Sequence, residues 1–206
     1  MRQQISLVVN PTSGRGRASA LLPAVEARLR ASGAEVETRR TSSYADAART
    51  MAEVVAAGTD VLAVMGGDGM VHLGLNACAD RTGSGGTALG VVPAGTGNDL
   101  CRGVGLDPQD ALAAAGVVAG GQRRLLDLVD VGDRFVGGVL ATGFDSRVND
   151  RANHLRWPRG ALRYTVAALA ELRVFSPLDY RLTLDGVVRE QRAMLVAVGK
   201  IGRAHV

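Results

Sequence analysis

Three glycine-rich turns, each following an apolar run, carry the residue types that bind polyphosphates. They read Asn10-Pro11-Thr12-Ser13-Gly14, Gly66-Gly67-Asp68-Gly69 and Pro93-Ala94-Gly95-Thr96-Gly97-Asn98-Asp99. Glycine lets the backbone approach a phosphate closely and lets backbone N–H groups face its oxygens. A helix that begins just after such a turn adds partial positive charge. The three turns together indicate a nucleotide-dependent phosphotransferase.

Two aspartates in these turns, Asp68 and Asp99, are the candidate catalytic residues. A carboxylate beside phosphates repels them unless a metal or hydrogen bonds intervene. We therefore expect Asp68 to do metal-linked or substrate-orienting work at the γ-phosphate, with turn capping as the alternative. Asp99 either orients the acceptor hydroxyl or caps a helix that begins there. The sequence assigns no metal ligands.

Strands that alternate with helices must position the turns. Apolar patterning predicts strands over 4–9, 35–39, 60–65 and 88–92, and helices over 18–32, 44–57, 71–79, near 98 and over 108–119. This alternation predicts a parallel sheet with helices on both faces. Ligands of such sheets bind outside the carboxyl ends of the strands. Because each turn follows a strand end, we expect all three turns to share one rim.

The pattern changes after residue 121, which predicts a second domain. Residues 123–131 and 135–141 flank a tight turn, and residues 178–184 and 187–198 flank Asp185-Gly186, a strong hairpin signal. Helical spacing covers 159–175. We predict an α/β domain over 1–122 and a β-rich domain with one long helix over 123–199.

These residues resemble the diacylglycerol kinase catalytic-domain family, which also contains sphingosine and ceramide kinases and bacterial lipid kinases. The resemblance covers residues 1–199 and rests on the three turns in this order, with a weaker fourth block at Gly143-Phe144-Asp145. Gly-Gly-Asp-Gly alone is less specific, because NAD kinases and 6-phosphofructokinases use a similar turn. The family usually has Thr after that turn and an acidic residue soon afterwards, where this chain has Met70 and Leu73.

The resemblance implies a fold, a reaction and a nucleotide site. The implied fold is a three-layer α/β ATP-binding domain, 6-phosphofructokinase-like, followed by an incomplete β-sandwich. The implied reaction uses ATP and Mg²⁺ to phosphorylate diacylglycerol or a related lipid hydroxyl, giving phosphatidic acid. The expected nucleotide-binding residues are Asn10, Pro11, Thr12, Ser13, Gly14, Thr41, Gly66, Gly67, Asp68, Gly69 and Thr96. Family members carry a general base and a magnesium loop beyond the length of this chain, so we expect an incomplete enzyme.

Two alternative functions use the same predicted nucleotide-binding turns. An NAD kinase-like phosphotransferase would change the acceptor to a soluble dinucleotide, although the turn over 93–99 argues against it. A non-catalytic nucleotide-binding fragment is the other alternative, and Met70 and Leu73 are compatible with it.

Composition limits the setting of the protein. The chain of 206 residues has a net charge of +4, and its only lysine is Lys200, which excludes a Walker-type P-loop. No apolar run is long enough to span a bilayer, the N-terminus lacks signal-peptide features, and Cys78 and Cys101 are too few for a disulfide framework. We expect a cytoplasmic protein, peripheral to the inner face of the membrane. Its expected partners are ATP and a membrane lipid but no nucleic acid. The sequence is compatible with a homodimer and does not decide the oligomeric state.

The last seven residues, 200–206, differ in character from the rest of the chain. Ile-Gly-Arg-Ala-His-Val is the translation of ATCGGAAGAGCACACGTC, a common sequencing-library adapter. We therefore expect 200–206 to be a non-native tail.

Overall fold

The computed structural model describes residues 2–79, 86–155, 157–158 and 161–199, and for Ala161 it describes the backbone only. The chain divides into two compact units, residues 1–138 and 139–199. The tail predicted at 200–206 lies outside the described residues.

The first unit is built on a four-stranded parallel sheet, which confirms the predicted topology. Its strands are β1 (Gln4–Val9), β2 (Glu35–Arg40), β3 (Val61–Gly66) and β4 (Ala88–Pro93), in the order β2-β1-β3-β4. The register sets Val8 of β1 opposite Val64 of β3, which lies opposite Val91 of β4. The chain leaves β1 toward β2 on one side and continues from β3 to β4 on the other, so the order reverses between β1 and β3. Ligands of open α/β sheets bind at such a switch point.

The described residues of the first unit also form five helices: α1 (Arg17–Arg30), α2 (Tyr44–Ala56), α3 (Asp68–Cys78), α4 (Asp99–Gly103) and α5 (Ala111–Ala119). The predicted start of α3 at residue 71 is wrong, because Gly67 is the N-cap and the helix already includes Asp68 and Gly69. The helix predicted from residue 108 begins at 111, where the Asp110 side chain accepts a hydrogen bond from the Ala113 N–H at 2.8 Å.

The core of the first unit lies on both faces of the sheet. Alternate residues of each buried strand point to opposite faces, so a single strand contributes side chains to two apolar clusters. One cluster packs α1 and α5 on the sheet through Leu22, Val25, Leu29 and Ala115, and the other packs α2 and α3 through Met51, Val54, Met70 and Val71. The three-layer α/β arrangement is therefore confirmed.

The hairpin predicted across 123–141 is shorter than expected. Only β5 (Val129–Asp130) and β6 (Phe135–Val136) pair within it. The Asn76 side chain of α3 holds the start of β6, accepting from the Phe135 N–H at 2.7 Å and donating to the Phe135 carbonyl at 3.0 Å.

Where the structure describes it, the second unit contains two two-stranded antiparallel sheets and two helices. Its elements are β7 (Val139–Gly143), α6 (Phe144–His154), α7 (Ala161–Val174), β8 (Leu178–Leu184), β9 (Val187–Ala193) and β10 (Leu195–Gly199). The turn of the β8–β9 hairpin lies at Asp185-Gly186 as predicted, and both residues have positive φ. The strand predicted over 187–198 is divided at Met194, because β10 pairs with β7 instead.

Helix α6 was missed by sequence reasoning, which predicted one long helix in this part of the chain. Its sequence, Phe-Asp-Ser-Arg-Val-Asn-Asp-Arg-Ala-Asn-His, is mostly polar, and its one buried residue is Ala152. With so few apolar positions, no helical periodicity is visible.

Within the described ranges, no helix is both long and apolar enough to cross a membrane.

Candidate functional site

A cavity of about 360 Å³ opens in the first unit where the segments after β1, β2 and β3 meet. Its size falls within the roughly 300–1,000 Å³ typical of small-molecule sites. The lining residues are Asn10, Thr12, Ser13, Thr41, Ser42, Ser43, Tyr44, Gly67, Gly69 and Met70. The cavity thus brings together members of the first two glycine-rich turns with the segment after β2.

Besides Met70, three lining residues of one segment, Ser42, Ser43 and Tyr44, were absent from the predicted set. They follow the carboxyl end of β2, and the rule that ligands bind at that edge of a parallel sheet pointed to them. Their segment contains no glycine and therefore lacks the feature that marks the three predicted turns. Met70, noted above as a departure from the family pattern, contributes an apolar wall and is itself 5% exposed.

The first turn is shaped by the Asn10 side chain. Its Oδ1 accepts hydrogen bonds from the Thr12 N–H at 3.1 Å and the Thr12 hydroxyl at 2.9 Å, and the Ser13 N–H donates to the Asn10 carbonyl at 3.1 Å. This is the local closure that asparagine favours in turns. Gly14 has a φ of 60°, and a Cβ there would collide with the Ala94 carbonyl oxygen. The first turn therefore lies directly against the third.

The second turn leads into an uncapped helix. Gly67 is extended, and no side chain caps the N-terminus of α3. Gly67 and Gly69 line the cavity, so the partial positive end of α3 lies at its wall. A Cβ on Gly66 would lie 2.5 Å from Met70 Cγ, so Gly66 supports the wall from behind rather than forming it.

Asp68 joins the second turn to the third. Its Oδ2 accepts from the Asn98 N–H at 2.9 Å, and its Oδ1 accepts from the Asp99 N–H at 2.7 Å. Hydrogen bonds from two backbone donors thus engage both carboxylate oxygens. Asp68 is outside the cavity lining and holds the start of α4 in place.

Asn98 fixes the third turn from within. It is 1% exposed and has a φ of 56°; its amide donates to the Gly95 and Pro108 carbonyls, both at 3.0 Å. Its Oδ1 accepts from the Gly95 N–H at 3.2 Å. A Cβ on Gly95 would collide with the Cα of Gly67, so the second and third turns touch through their backbones.

The remaining predicted residues lie around the cavity or outside its lining. The Asp99 side chain is 84% exposed and accepts from Arg102 at 2.7 Å. The proposal that Asp99 caps α4 is wrong, because Asp68 accepts from the amides at that helix start. Thr96 is exposed, and neither it nor Pro11 lines the cavity. Thr41 lines it while its hydroxyl donates to the Val9 carbonyl at 3.1 Å.

The described residues of this region contain neither a metal cluster nor a reactive thiol. Among the described residues no group of three or more His, Cys, Asp or Glu side chains could hold a metal ion. Burial raises the pKa of Cys78 to about 12. Burial and, less strongly, the charge of Asp68 raise the pKa of Cys101 to about 11. Both thiols are therefore protonated at neutral pH and are poor nucleophiles.

The family follows from comparison with known proteins. The profile of the diacylglycerol kinase catalytic domain matches residues 4–131. This chain belongs to the diacylglycerol kinase catalytic-domain family. A second profile, the YegS C-terminal NAD kinase beta sandwich-like domain, matches residues 138–204. The predicted fold class, an α/β unit followed by a sandwich-like unit, is confirmed.

Individual relatives carry the same family name. A diacylglycerol kinase from Mycobacterium tuberculosis (strain ATCC 25618 / H37Rv) is 43% identical over 188 residues, covering 89% of this chain and 60% of the relative. One from Bacillus subtilis (strain 168) is 28% identical over 193 residues, covering 93% of this chain and 63% of the relative. A crystal structure of a diacylglycerol kinase from Bacillus anthracis str. Sterne superposes with a TM-score of 0.74 at 25% identity, covering 96% of this chain and 64% of that one. The chain thus spans less than two thirds of the length of these relatives.

Proposed function

We propose that this chain is the nucleotide-binding part of a lipid kinase that transfers the γ-phosphate of ATP to the hydroxyl of diacylglycerol, giving phosphatidic acid. The observation that carries the proposal is the cavity where Asn10, Thr12 and Ser13 face Gly67 and Gly69 at an uncapped helix N-terminus. Such a helix end binds anions through backbone N–H groups and the helix dipole. The names of the relatives supply the lipid acceptor.

In this proposal the chain works by positioning. Phosphoryl transfer depends on alignment and on neutralising the phosphate charge. The first turn and the start of α3 hold the phosphates, and Asp68 sets the third turn, and with it Thr96 and Asp99, beside them. The residues of the described ranges assemble no site for a free metal ion. Mg²⁺ would accompany the nucleotide and neutralise phosphate charge.

We also propose that the lipid is reached at a membrane surface. The net charge of +4 falls to +2, with 22 basic and 20 acidic residues, when Lys200 and Arg203 of the expected tail are excluded. This modest basic excess favours an anionic surface, although a solvated arginine-rich face accounts for it equally well. Binding of the chain to vesicles with and without anionic lipid would decide between these explanations. Binding that needs the anionic lipid and weakens with salt supports the membrane proposal.

Titration calorimetry with the 206-residue chain tests the nucleotide part of the proposal. ATP and tripolyphosphate are both expected to bind, because the phosphate-facing donors lie within this chain. Absence of binding by both ligands would overturn the proposal.

Acceptor choice needs a separate assay. Residues 1–199 would be joined to the remaining part of the M. tuberculosis relative and supplied with ATP and either dispersed diacylglycerol or NAD. Transfer to diacylglycerol alone is expected. Transfer to NAD alone would replace the lipid kinase by an NAD kinase, and ATP binding without transfer to either would favour a non-catalytic nucleotide-binding protein.

A further inference from the structure

The cavity has two chemically different ends. At one end, the N-terminus of α3 has no side-chain cap. At the other, the N-terminus of α2 is capped, because the Ser43 hydroxyl accepts from the Asp46 N–H at 3.1 Å. The Asp46 carboxylate also accepts from the Ser42 N–H at 2.9 Å, which places a negative charge there. A nucleotide that enters this cavity therefore directs its phosphates to α3 and its nucleoside to α2.

Tyr44 provides an aromatic surface at the nucleoside end. It is the first residue of α2, and among the described residues that line the cavity it is the one aromatic side chain. It is 60% exposed. A Cβ on Gly69 would lie 3.7 Å from Tyr44 Cε2, so the ring runs beside the second turn without a side chain between them. An exposed ring at this position offers a face to a flat ligand.

The hydrogen-bonding side chains at this end are engaged with the protein. The Ser42 hydroxyl donates to Asp46 Oδ2 at 3.0 Å, and the Thr41 hydroxyl donates to the Val9 carbonyl at 3.1 Å. The Ser43 hydroxyl serves as the helix cap. These groups hold the start of α2, so they are poorly placed to distinguish one base edge from another.

We propose that Tyr44 is the stacking surface for the nucleobase, and that this cavity recognises the base by its face rather than by its edge. The inference rests on the proposed nucleotide-binding function of the cavity. It extends that function by naming the residue that contacts the base and the kind of selectivity that results. Purine nucleotides should bind alike, and more tightly than pyrimidine nucleotides, because their rings offer more stacking area.

Calorimetry with the full chain tests this inference, using ATP, GTP, UTP and tripolyphosphate as ligands. For Tyr44→Ala, we expect ATP and GTP to bind about 10-fold more weakly, because the loss of base stacking on one aromatic side chain lowers affinity by about that factor. Binding of tripolyphosphate, which has no base, should be unaffected. Tyr44→Phe should bind all four ligands like the unchanged chain, because it keeps the ring. Tyr164→Ala, which removes a tyrosine of the second unit that is 48% exposed, is the matched control and should change nothing.

Several outcomes would overturn the inference. Tyr44→Ala could bind ATP normally, or lose ATP and tripolyphosphate equally, or the unchanged chain could prefer ATP over GTP by more than about 10-fold, which indicates edge recognition. A far-UV circular dichroism melt confirms that the Ala variant is folded. If the unchanged chain binds neither ATP nor tripolyphosphate, the proposed function fails. If it binds both and Tyr44→Ala behaves normally, only the role of Tyr44 fails.

Discussion

The carboxylate of Asp68 accepts a hydrogen bond from the backbone N–H of Asp99 at 2.7 Å, across 31 positions of sequence. The other oxygen of Asp68 accepts from the adjacent Asn98 N–H. Neither bond uses the side chain of Asp99, which pairs with Arg102. Of the two candidate catalytic aspartates, Asp68 therefore positions the backbone of Asp99, while the Asp99 side chain makes no hydrogen bond to Asp68 in these contacts.

Replacing Asp68 should affect both stability and phosphoryl transfer. Asp68→Ala leaves the N–H groups of Asn98 and Asp99 without their acceptor, which should lower the free energy of unfolding by about 1–3 kcal/mol. The chain should still fold, and in the fusion with the M. tuberculosis relative the transfer of phosphate should be abolished. Asp68→Asn keeps one acceptor oxygen and should lose less stability. Urea denaturation and the transfer assay measure the two effects, and an Ala variant with full activity would contradict the assignment.

The contact between the second and third turns should not tolerate a methyl group. A Cβ on Gly95 would collide with Gly67 Cα, so Gly95→Ala must displace backbone that forms the cavity wall. We expect a loss of about 1–3 kcal/mol in the free energy of unfolding and weaker ATP binding. Gly103→Ala is the control, because a Cβ there meets nothing within 4 Å. That variant should bind ATP normally and be as stable as the unchanged chain or slightly more so. Equal behaviour of the two variants would refute the close approach.

Two substitutions at Asn10 separate loop shape from charge. Asn10→Ala removes the acceptor for the Thr12 N–H and hydroxyl, so it should lower both the melting temperature and the ATP affinity. Asn10→Asp keeps the acceptor but adds a negative charge to the cavity lining. It should melt close to the unchanged chain while binding ATP several-fold more weakly, and salt should reduce that difference. A salt-independent loss in Asn10→Asp would mean that the loop, rather than the charge, had changed.

Alkaline pH should destabilise the fold through Cys78. Burial raises the pKa of this thiol from 9.0 to about 12. Above pH 9 the unfolded thiol ionises while the folded one keeps its proton, so the contribution to stability is complete below pH 9 and is lost as pH rises toward 12. Between pH 8 and pH 10 the unchanged chain should lose about 1 kcal/mol more than Cys78→Ala. Urea denaturation at both pH values measures the difference, and identical losses would show that the thiol does not contribute.

Three strands of the sheet, β1, β3 and β4, could be predicted from sequence because they are mostly buried on both faces, whereas the edge strand β2 was predicted from its alternation. Strands buried on both faces read as continuous apolar runs, as 61–66 does with six buried residues. The rim of the site followed from the same pattern, since a parallel sheet collects its carboxyl ends along one edge. This reasoning predicted that all three turns share one rim. Asn10, Gly67 and Gly69 of the first two turns line one cavity, whereas no residue of the third turn is among its described lining residues.

The rest could not be predicted because it depends on contacts between distant residues or on weak patterns. The partners of Asp68 lie 30 and 31 positions away, and no local rule connects a carboxylate to particular backbone amides at that distance. Asn98 resembles an ordinary turn residue until its burial against Pro108 is known. Helix α6 has too few apolar residues to show a period.

Helix α4 has five residues, far fewer than an isolated helix needs to persist in water. Its first amides find their acceptor only when Asp68, at the start of α3, is already in place. The stability of α4 therefore depends on α3, and we expect the third turn to become ordered only in a chain that has already placed Asp68. A chain that has formed its sheet but has not placed Asp68 would then be compact while Asn98 and Asp99 lack their native backbone positions.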